Sequence, residues 1–483
     1  MRPTHLDPGN AKKFPALATI DGHEMKRTLI AAALLVLVSG AVALSLDTAA
    51  RDREFRRLVV SGETALLGNQ TSLAVEAFSG AIALKRTSML AYLRRGEAYA
   101  RRGEHQAALR DLREAARLDP TATRPLELVG DVNVALDRQA RAAEAYEAYL
   151  ALDDRSPRLL YKLALARYRL GNSAAAVKVL RQATALNDRM PEALYLLGVC
   201  LREQRENAEA QDLLERAVAL APALVPAREE LASLYLVARR DRDAIDQLEA
   251  LAALEPGRPE RQVAVGLAFA RTGQRDAAVV TLVRATERYP EQSAVWVALG
   301  RVWLEAAEPG RDRVALVKAI QALEPVARTG AASSEALTLY GRALLLAGDL
   351  AGAHRAFERA AQALPLEPSS LLNLAATAER LGRPSVCRDA LVRYALLTGE
   401  DRDAASRAVR IGDLSLRLGE PAAAAAWFRR AIDLSGGAPS EYARLADAEA
   451  RLGHVDAART AVERGLVMDP RNSALLSLRR RLR

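Results

Sequence analysis

Aromatic residues make up only 4% of the chain, and the β-branched types that favour strands are also sparse. A sheet-based core is therefore not expected. Cysteine is nearly missing: Cys200 and Cys387 are the only two in 483 residues. They stand five repeats apart in the 34-residue register of the chain, too far for the roughly 7 Å Cα separation that a disulfide tolerates, so each is expected as a small buried apolar residue. No CxxC pair occurs, which removes zinc-ribbon and thioredoxin-like readings. The five histidines are scattered. His105, His354 and His454 fall near the starts of second helices in units two, nine and twelve, cannot meet at one metal, and are expected at the surface. Absent too are a P-loop, a GxGxxG turn, an HExxH helix and a GxSxG elbow. No catalytic, cofactor-binding or metal-binding residue is expected, and the chain does not read as an enzyme.

Long runs of one charge are lacking as well. The net charge is +9, but the basic residues are mostly Arg interspersed with nearly as many acids, and the one block is Arg479–Arg483. That is the pattern of a solvated helical surface, so nucleic acid is not an expected partner. What is abundant is Ala and Leu, within a hydrophobic share of 50%. Both are strong helix formers, and the fold class expected is all-α.

Thr28–Leu46 is an uncharged stretch of 19 residues. As a helix it spans about 28 Å, close to the hydrocarbon thickness of a bilayer. Met25-Lys26-Arg27 precedes it in the manner of an export-signal start, after a short polar tail over 1–27. Two readings stay open: a retained transmembrane signal anchor, and a signal peptide cleaved near Ser39-Gly40. The length of the stretch favours the anchor. Both place the rest of the chain outside the cytoplasm, in a periplasm-like compartment, with the N-terminus inside. Arg51, Arg53, Arg56 and Arg57 on the far side weigh against that orientation and keep a cytoplasm-facing alternative open.

Internal periodicity dominates the rest. Gly62, Gly96, Gly130, Ala164, Gly198, Ala232, Gly266 and Gly300 recur every 34 residues, and Gly341, Ala375, Gly412 and Ala446 continue the series. Twelve residues after these, the eighth unit excepted, comes a second small one, as at Ala74, Ala108 and Ala142, with Cys387 taking that place in the tenth unit. Four further on stands a bulky knob, as at Phe78, Leu112, Tyr146, Leu180 and Phe428. This spacing describes two helices per unit whose small residues let the backbones approach while the knob fills the space beside them. Gly103, Gly171, Gly273, Gly348, Gly382, Gly419 and Gly453 fall between the helices, where a left-handed residue ends the first. Units tend to close on proline, as at Pro120, Pro222, Pro256, Pro290, Pro365 and Pro470, each expected to suit the first turn of the next helix.

The pattern resembles the tetratricopeptide repeat family, most clearly through Tyr92, Gly96, Tyr99, Gly103, Ala108, Leu112, Ala115 and Pro120. The resemblance covers about residues 55–470. It implies a right-handed α-solenoid, or superhelix, of about twelve helix-turn-helix repeats behind one N-terminal transmembrane helix, with a concave groove for proteins or peptides. Two departures stand out. The eighth unit carries about seven extra residues near 304–335, including Pro309-Gly310 and a helical stretch Val314–Val326, expected as a longer second helix or a projecting loop. About three more residues enter near Thr398–Ala405. Residues 471–483 are expected as a capping helix that covers the last hairpin with Leu475, Leu476 and Leu478.

In this family the groove is lined by first-helix residues three before, one after and four after the small residue. On this sequence those places hold Tyr161, Leu165 and Tyr168 in unit four, and Tyr195, Val199 and Arg202 in unit five. Unit seven gives Val263 and Leu267, and unit eight Val297, Arg301 and Leu304. Tyr161 and Tyr195 are expected to stack on neighbouring helices, and Tyr and Arg are frequent interface anchors. The carboxylate clamp of chaperone-binding relatives needs Asn one after the small residue. That place holds Glu63, Glu97, Asp131, Leu165, Val199, Ser233, Leu267, Arg301, Arg342, Ala376, Asp413 and Asp447, so binding of chaperone C-terminal peptides is not expected. The groove is expected to be acidic at both ends and apolar, with tyrosines, near its middle. The function expected is a non-enzymatic, membrane-tethered scaffold or adaptor in a cell-envelope assembly or secretion system. The alternatives are a non-catalytic subunit of a transferase or protease, and a self-assembling array or homo-oligomer.

Overall fold

The computed structural model describes residues 22–308 and 312–482. Residues 1–21 of the expected tail, the Pro309-Gly310 pair and Arg483 lie outside the described residues. Among the described residues all regular structure is helical. The chain divides into two compact units, Met1–Pro222 and Ala223–Arg483.

In the first unit α1 (Gly22–Leu67) pairs with α2 (Thr71–Leu84), and α3 (Met89–Arg101) with α4 (His105–Leu118). α5 (Thr123–Ala135) pairs with α6 (Gln139–Leu150), α7 (Pro157–Arg169) with α8 (Ser173–Leu186), and α9 (Pro191–Glu203) with α10 (Asn207–Leu220). In the second unit the pairs begin with α11 (Val225–Val237) and α12 (Asp241–Leu254), then α13 (Pro259–Arg271) and α14 (Arg275–Arg288). α15 (Ser293–Ala307) pairs with α16 (Arg313–Arg328), and α17 (Ser334–Leu346) with α18 (Leu350–Ala360). α19 (Pro368–Arg380) pairs with α20 (Pro384–Thr398), α21 (Ala404–Arg417) with α22 (Pro421–Ser435), and α23 (Pro439–Arg451) with α24 (Val455–Met468). α25 (Ser473–Arg481) closes the series against α23 and α24, with Leu475 and Leu478 buried in their core.

Each pair is held by the contact that the periodicity implies. A Cβ added to Gly62 would lie 2.6 Å from the Phe78 ring, and one on Gly341 would lie 2.6 Å from Phe357. Gly130 faces Tyr146 and Gly412 faces Phe428 in the same way. Wherever the knob is aromatic its partner is glycine; wherever the partner is alanine, as at Ala164 or Ala375, the knob is aliphatic, as at Leu180 or Leu391. The volume shared by two backbones is thus filled once, to the density that interiors require. Unit eight shows how strict the rule is. Gly300 meets Leu323 and not residue 316, because the extra residues lengthen α15, α16 and the link between them and move the knob seven places along.

All seven inter-helix glycines have positive φ, from 68° to 90°. Where glycine is missing, Asn69, Asp137, Arg205 and Arg239 adopt the same left-handed turn, which for arginine costs about 1–2 kcal/mol. The closing prolines stop second helices without starting the next: α5 begins at Thr123, three residues after Pro120. Different prolines occupy first turns, among them Pro157, Pro191 and Pro259.

α1 departs from its neighbours. It starts at Gly22, ahead of Thr28, and continues as one helix for 46 residues into the first repeat. Leu35, Leu37, Leu44 and Leu46 are exposed, whereas Phe55, Leu58 and Val59 pack against Ala81, Ile82 and Ala91. α1 is long and apolar enough to cross a membrane.

Two corrections concern histidine and the closing prolines. His454 is at the surface, but His354 is buried, with Nδ1 3.2 Å from the Thr377 hydroxyl. Its neighbours Gly352, Ala353 and Ala356 are small enough to let α18 lie close on α19, which carries the imidazole inside. Burial, and then Arg383, pushes its pKa below the ordinary value, against a smaller opposing effect of Glu358.

Gly341→Ala is expected to cost about 2–3 kcal/mol through overpacking against Phe357, and adding Phe357→Leu should recover most of that by recreating the Ala–Leu pairing of unit ten; urea unfolding of both variants reads this. Gly171→Ala, whose Cβ meets nothing within 4 Å, should cost only about 1 kcal/mol, from backbone strain alone. Because folded His354 resists the proton that the unfolded side chain accepts near its ordinary pKa of about 6.5, its stability contribution is intact above that pH and shrinks below it. The drop in Tm between about pH 7.5 and about pH 5.5 should accordingly be smaller in His354→Leu than in the wild type.

Candidate functional site: the first-helix face

First helices touch one another as well as their partners: α1 with α3, α3 with α5 and α7 with α9 in the first unit, and α13 with α15, α15 with α17, α17 with α19 and α21 with α23 in the second. Ion pairs link the remaining neighbours within each unit, Lys162 to Glu127 between α7 and α5, Arg261 to Glu229 between α13 and α11, and Arg410 to Glu379 between α21 and α19. Each unit therefore presents a strip of first-helix side chains, and the sequence-derived residues lie on it in two sets.

In the first unit Tyr161, Leu165 and Tyr168 are half-buried on α7, as are Tyr195 and Arg202 on α9, while Val199 is buried and contributes packing. The Tyr168 hydroxyl donates to Glu203 Oε1 at 3.0 Å, tying α7 to α9. Burial, that hydrogen bond and the charge of Glu203 push its pKa up to about 12, with Cys200 and Tyr195 adding to the effect. Tyr161 is raised too, by burial and by Glu192. Both phenols stay neutral at physiological pH, so they act as amphipathic contact surfaces with a donor at the tip. Cys200 and Cys387 are both buried, as their packing places imply.

In the second unit Val263 and Leu267 flank the core formed by Ala278, Leu282 and Ala298. Val297 and Leu304 belong to the core with Leu323 and Leu339, and are not open groove residues. Arg301 pairs with Glu335 on α17. Arg301 and Leu304 nevertheless come together in a cleft of about 490 Å³, with Glu305 and Glu308 from α15, Glu335, Thr338, Leu339 and Arg342 from α17, and Glu367 and Ser369 at the start of α19. Thr338 and Arg342 hold the register places three before and one after Gly341, so the rule that selected Arg301 reaches them as well. Glu308 and Glu335 lie outside those places; what brings them in is ion pairing to Arg342 and Arg301.

The acidic ends expected of the groove are neutralised. Glu63 pairs with Arg94 at 3.3 Å, Asp131 with Lys162 at 2.7 Å and Asp413 with Arg444 at 3.1 Å. In each case the acid stands one after the small residue and the base two before the small residue of the next repeat. Glu97 is taken up by Arg94 and Arg101, and Asp447 by Arg451. One rung differs. Glu127 is only 2% exposed and receives Arg124 at 2.7 Å, Arg158 at 2.6 Å and Lys162 at 2.8 Å. Burial alone would raise its pKa, but the hydrogen bonds from Lys162 and Arg124 outweigh it and hold the carboxyl below its usual range.

The rungs should therefore differ in strength. Glu127→Ala removes a buried carboxylate that accepts from three partly exposed basic side chains and is expected to cost about 1.5–3 kcal/mol, against about 0.5 kcal/mol or less for Asp413→Ala at the surface, by chemical denaturation. With a lowered pKa in the fold, the contribution of Glu127 is complete above the unfolded carboxylate value and is lost as pH falls through the folded one.

Two sequence profiles described as Tetratricopeptide repeat match this chain, over residues 89–122 and 161–225. A curated relative, the small glutamine-rich tetratricopeptide repeat-containing protein 2 of Mycosarcoma maydis, is 26% identical over 118 residues, 24% of this chain. The match spans 34% of the length of that relative. Among solved structures, the C-terminal part of a TPR repeat-containing protein from Cytophaga hutchinsonii is 18% identical, with a TM-score of 0.44, 51% of this chain covered and 99% of that one. Pseudomonas aeruginosa pilF is 21% identical, with a TM-score of 0.36, over 43% of this chain and 94% of that one. The profile matches fall on the second, fourth and fifth hairpins, and the other hairpins keep the same pairing of small residue and knob; the chain is a tetratricopeptide repeat protein.

Proposed function

We propose that this protein is a non-enzymatic scaffold, tethered to a membrane by residues 28–46, that offers its first-helix face to partner proteins of a cell-envelope assembly or secretion system. The observation that carries the proposal is α1: one helix whose first part exposes leucines and valines all round and whose last part is the first helix of the first repeat. An apolar helix exposed on every side has no soluble neighbour to cover it and suits a bilayer. The tyrosines of α7 and α9 support the docking role, because large rings with one polar tip bind with little loss of side-chain freedom. Lys26-Arg27 before the apolar stretch supports an N-terminus on the cytoplasmic side, with the repeats across the membrane.

Two experiments test this. A phosphatase fused to the C-terminus should be active in intact cells, and the chain should resist carbonate extraction; an inactive fusion with a fluorescent cytosolic reporter reverses the orientation. Crosslinking in the native cell should capture partners whose yield falls about tenfold or more in Tyr161→Ala/Tyr195→Ala, the loss expected when two anchors of at least ~1 kcal/mol each are truncated. Unchanged capture by a folded variant moves docking off this strip.

A further inference from the structure

We infer that the membrane-proximal end of the first repeat is a cationic collar that contacts anionic phospholipid headgroups; the inference rests on the membrane-anchor reading above. Phe55 lies nine residues beyond Leu46, about 13 Å further along α1. Arg53, Arg56 and Arg57 are exposed, on the face of α1 opposite the one that packs on α2. On the Phe55 side the chain returns at the end of α2, where Lys85 places its ammonium 5.5 Å from the Phe55 ring, with Arg86 next to it. Positive charge therefore surrounds the helix at one depth.

The local acids do not cancel it. Arg51 pairs with Asp47 at 3.0 Å and Arg57 with Glu54 at 2.7 Å. Among the described residues Arg53 and Arg56 bond only to the backbone carbonyls of Ala49 and Asp52, at 3.3 and 3.2 Å, which leaves their charge unneutralised. Lys85 and Arg86 are exposed and have no carboxylate partner among the described residues. Asp47, Asp52 and Glu54 leave the collar net positive.

Geometry selects the partner. A peptide or a free phosphate would meet one side of a helix, whereas a surface pierced by the helix meets all sides at once. The polar headgroup layer extends about 5–8 Å beyond the hydrocarbon, and the Debye length adds about 8 Å, so the collar lies within reach of a charged leaflet. Each basic residue near such a surface gains measurably in binding. Either leaflet satisfies this geometry.

The test uses the full chain reconstituted into vesicles of phosphatidylcholine, with or without about 30 mol% phosphatidylglycerol. An amine-reactive reagent reads the accessibility of Lys85, with exposed Lys178 of the same unit as internal control. Lys85 labelling relative to Lys178 should slow about fivefold in the anionic vesicles. About 0.5 M NaCl should abolish the difference, and Arg53→Gln/Arg56→Gln/Arg86→Gln should reduce it. Equal Lys85 labelling in both vesicle types, in protein that floats with the lipid after carbonate washing, overturns the collar alone. Protein that fails to float overturns the anchor reading beneath it.

Discussion

The fold depends on one steric bargain repeated along the chain: a residue with little or no side chain on the first helix of each pair, and a bulky one facing it from the second. Helix propensity alone would produce helices without an order. The facing pair sets how close two helices come and at which point along their length, and the next pair must then stack on the surface this leaves. Cores such as that of Leu93, Leu109, Leu112 and Leu128 start within one hairpin, α3 with α4, and are completed by α5 of the next. Stability is accordingly local and additive along neighbours, and the extra residues of the eighth hairpin are absorbed by longer helices α15 and α16 without loss of the pairs on either side.

Charge plays a second, weaker role. Rungs such as Glu63–Arg94 in the first unit and Asp413–Arg444 in the second cross from one first helix to the next. Most rungs are half-exposed and contribute little to stability. Their effect is on the surface itself: carboxylates that would repel acidic partners and attract basic ones are already matched, so the strip is less polarised than its composition suggests. Docking there would then rest on shape and on rings such as Tyr161 and Tyr168. The cleft around Arg301 and Arg342 keeps Glu305 and Glu367 as additional carboxylates.

The periodicity of Gly, Ala and knob made the helical pairs readable, because each of those residues answers to one local contact. The seven glycines between helices were readable for the same reason. Arg205 and Arg239 were not, since nothing about arginine announces a left-handed turn; only their place in the register does. The site was less legible. The positional rule names side chains without regard to how deeply a given repeat buries them, so Val199, Val297 and Leu304 were selected together with half-buried Tyr168. Neutralisation of the acids is hard to read where pairing runs between repeats: Asp131 looks free until Lys162, on the next first helix, is placed beside it. The burial of His354 is not legible in the sequence, because its environment is set by small residues on α18 and by α19, which composition does not reveal.

α1 contains no hinge between its exposed apolar part and the part built into the first hairpin. A helix in a bilayer tilts until its apolar length matches the thickness of the hydrocarbon. With no flexible joint to absorb that tilt, the first repeat would lean by the same angle. In the anchored state proposed above, the aim of the first-helix strip would then depend on the surrounding lipid, and a thinner or thicker bilayer would turn it toward a different direction of approach.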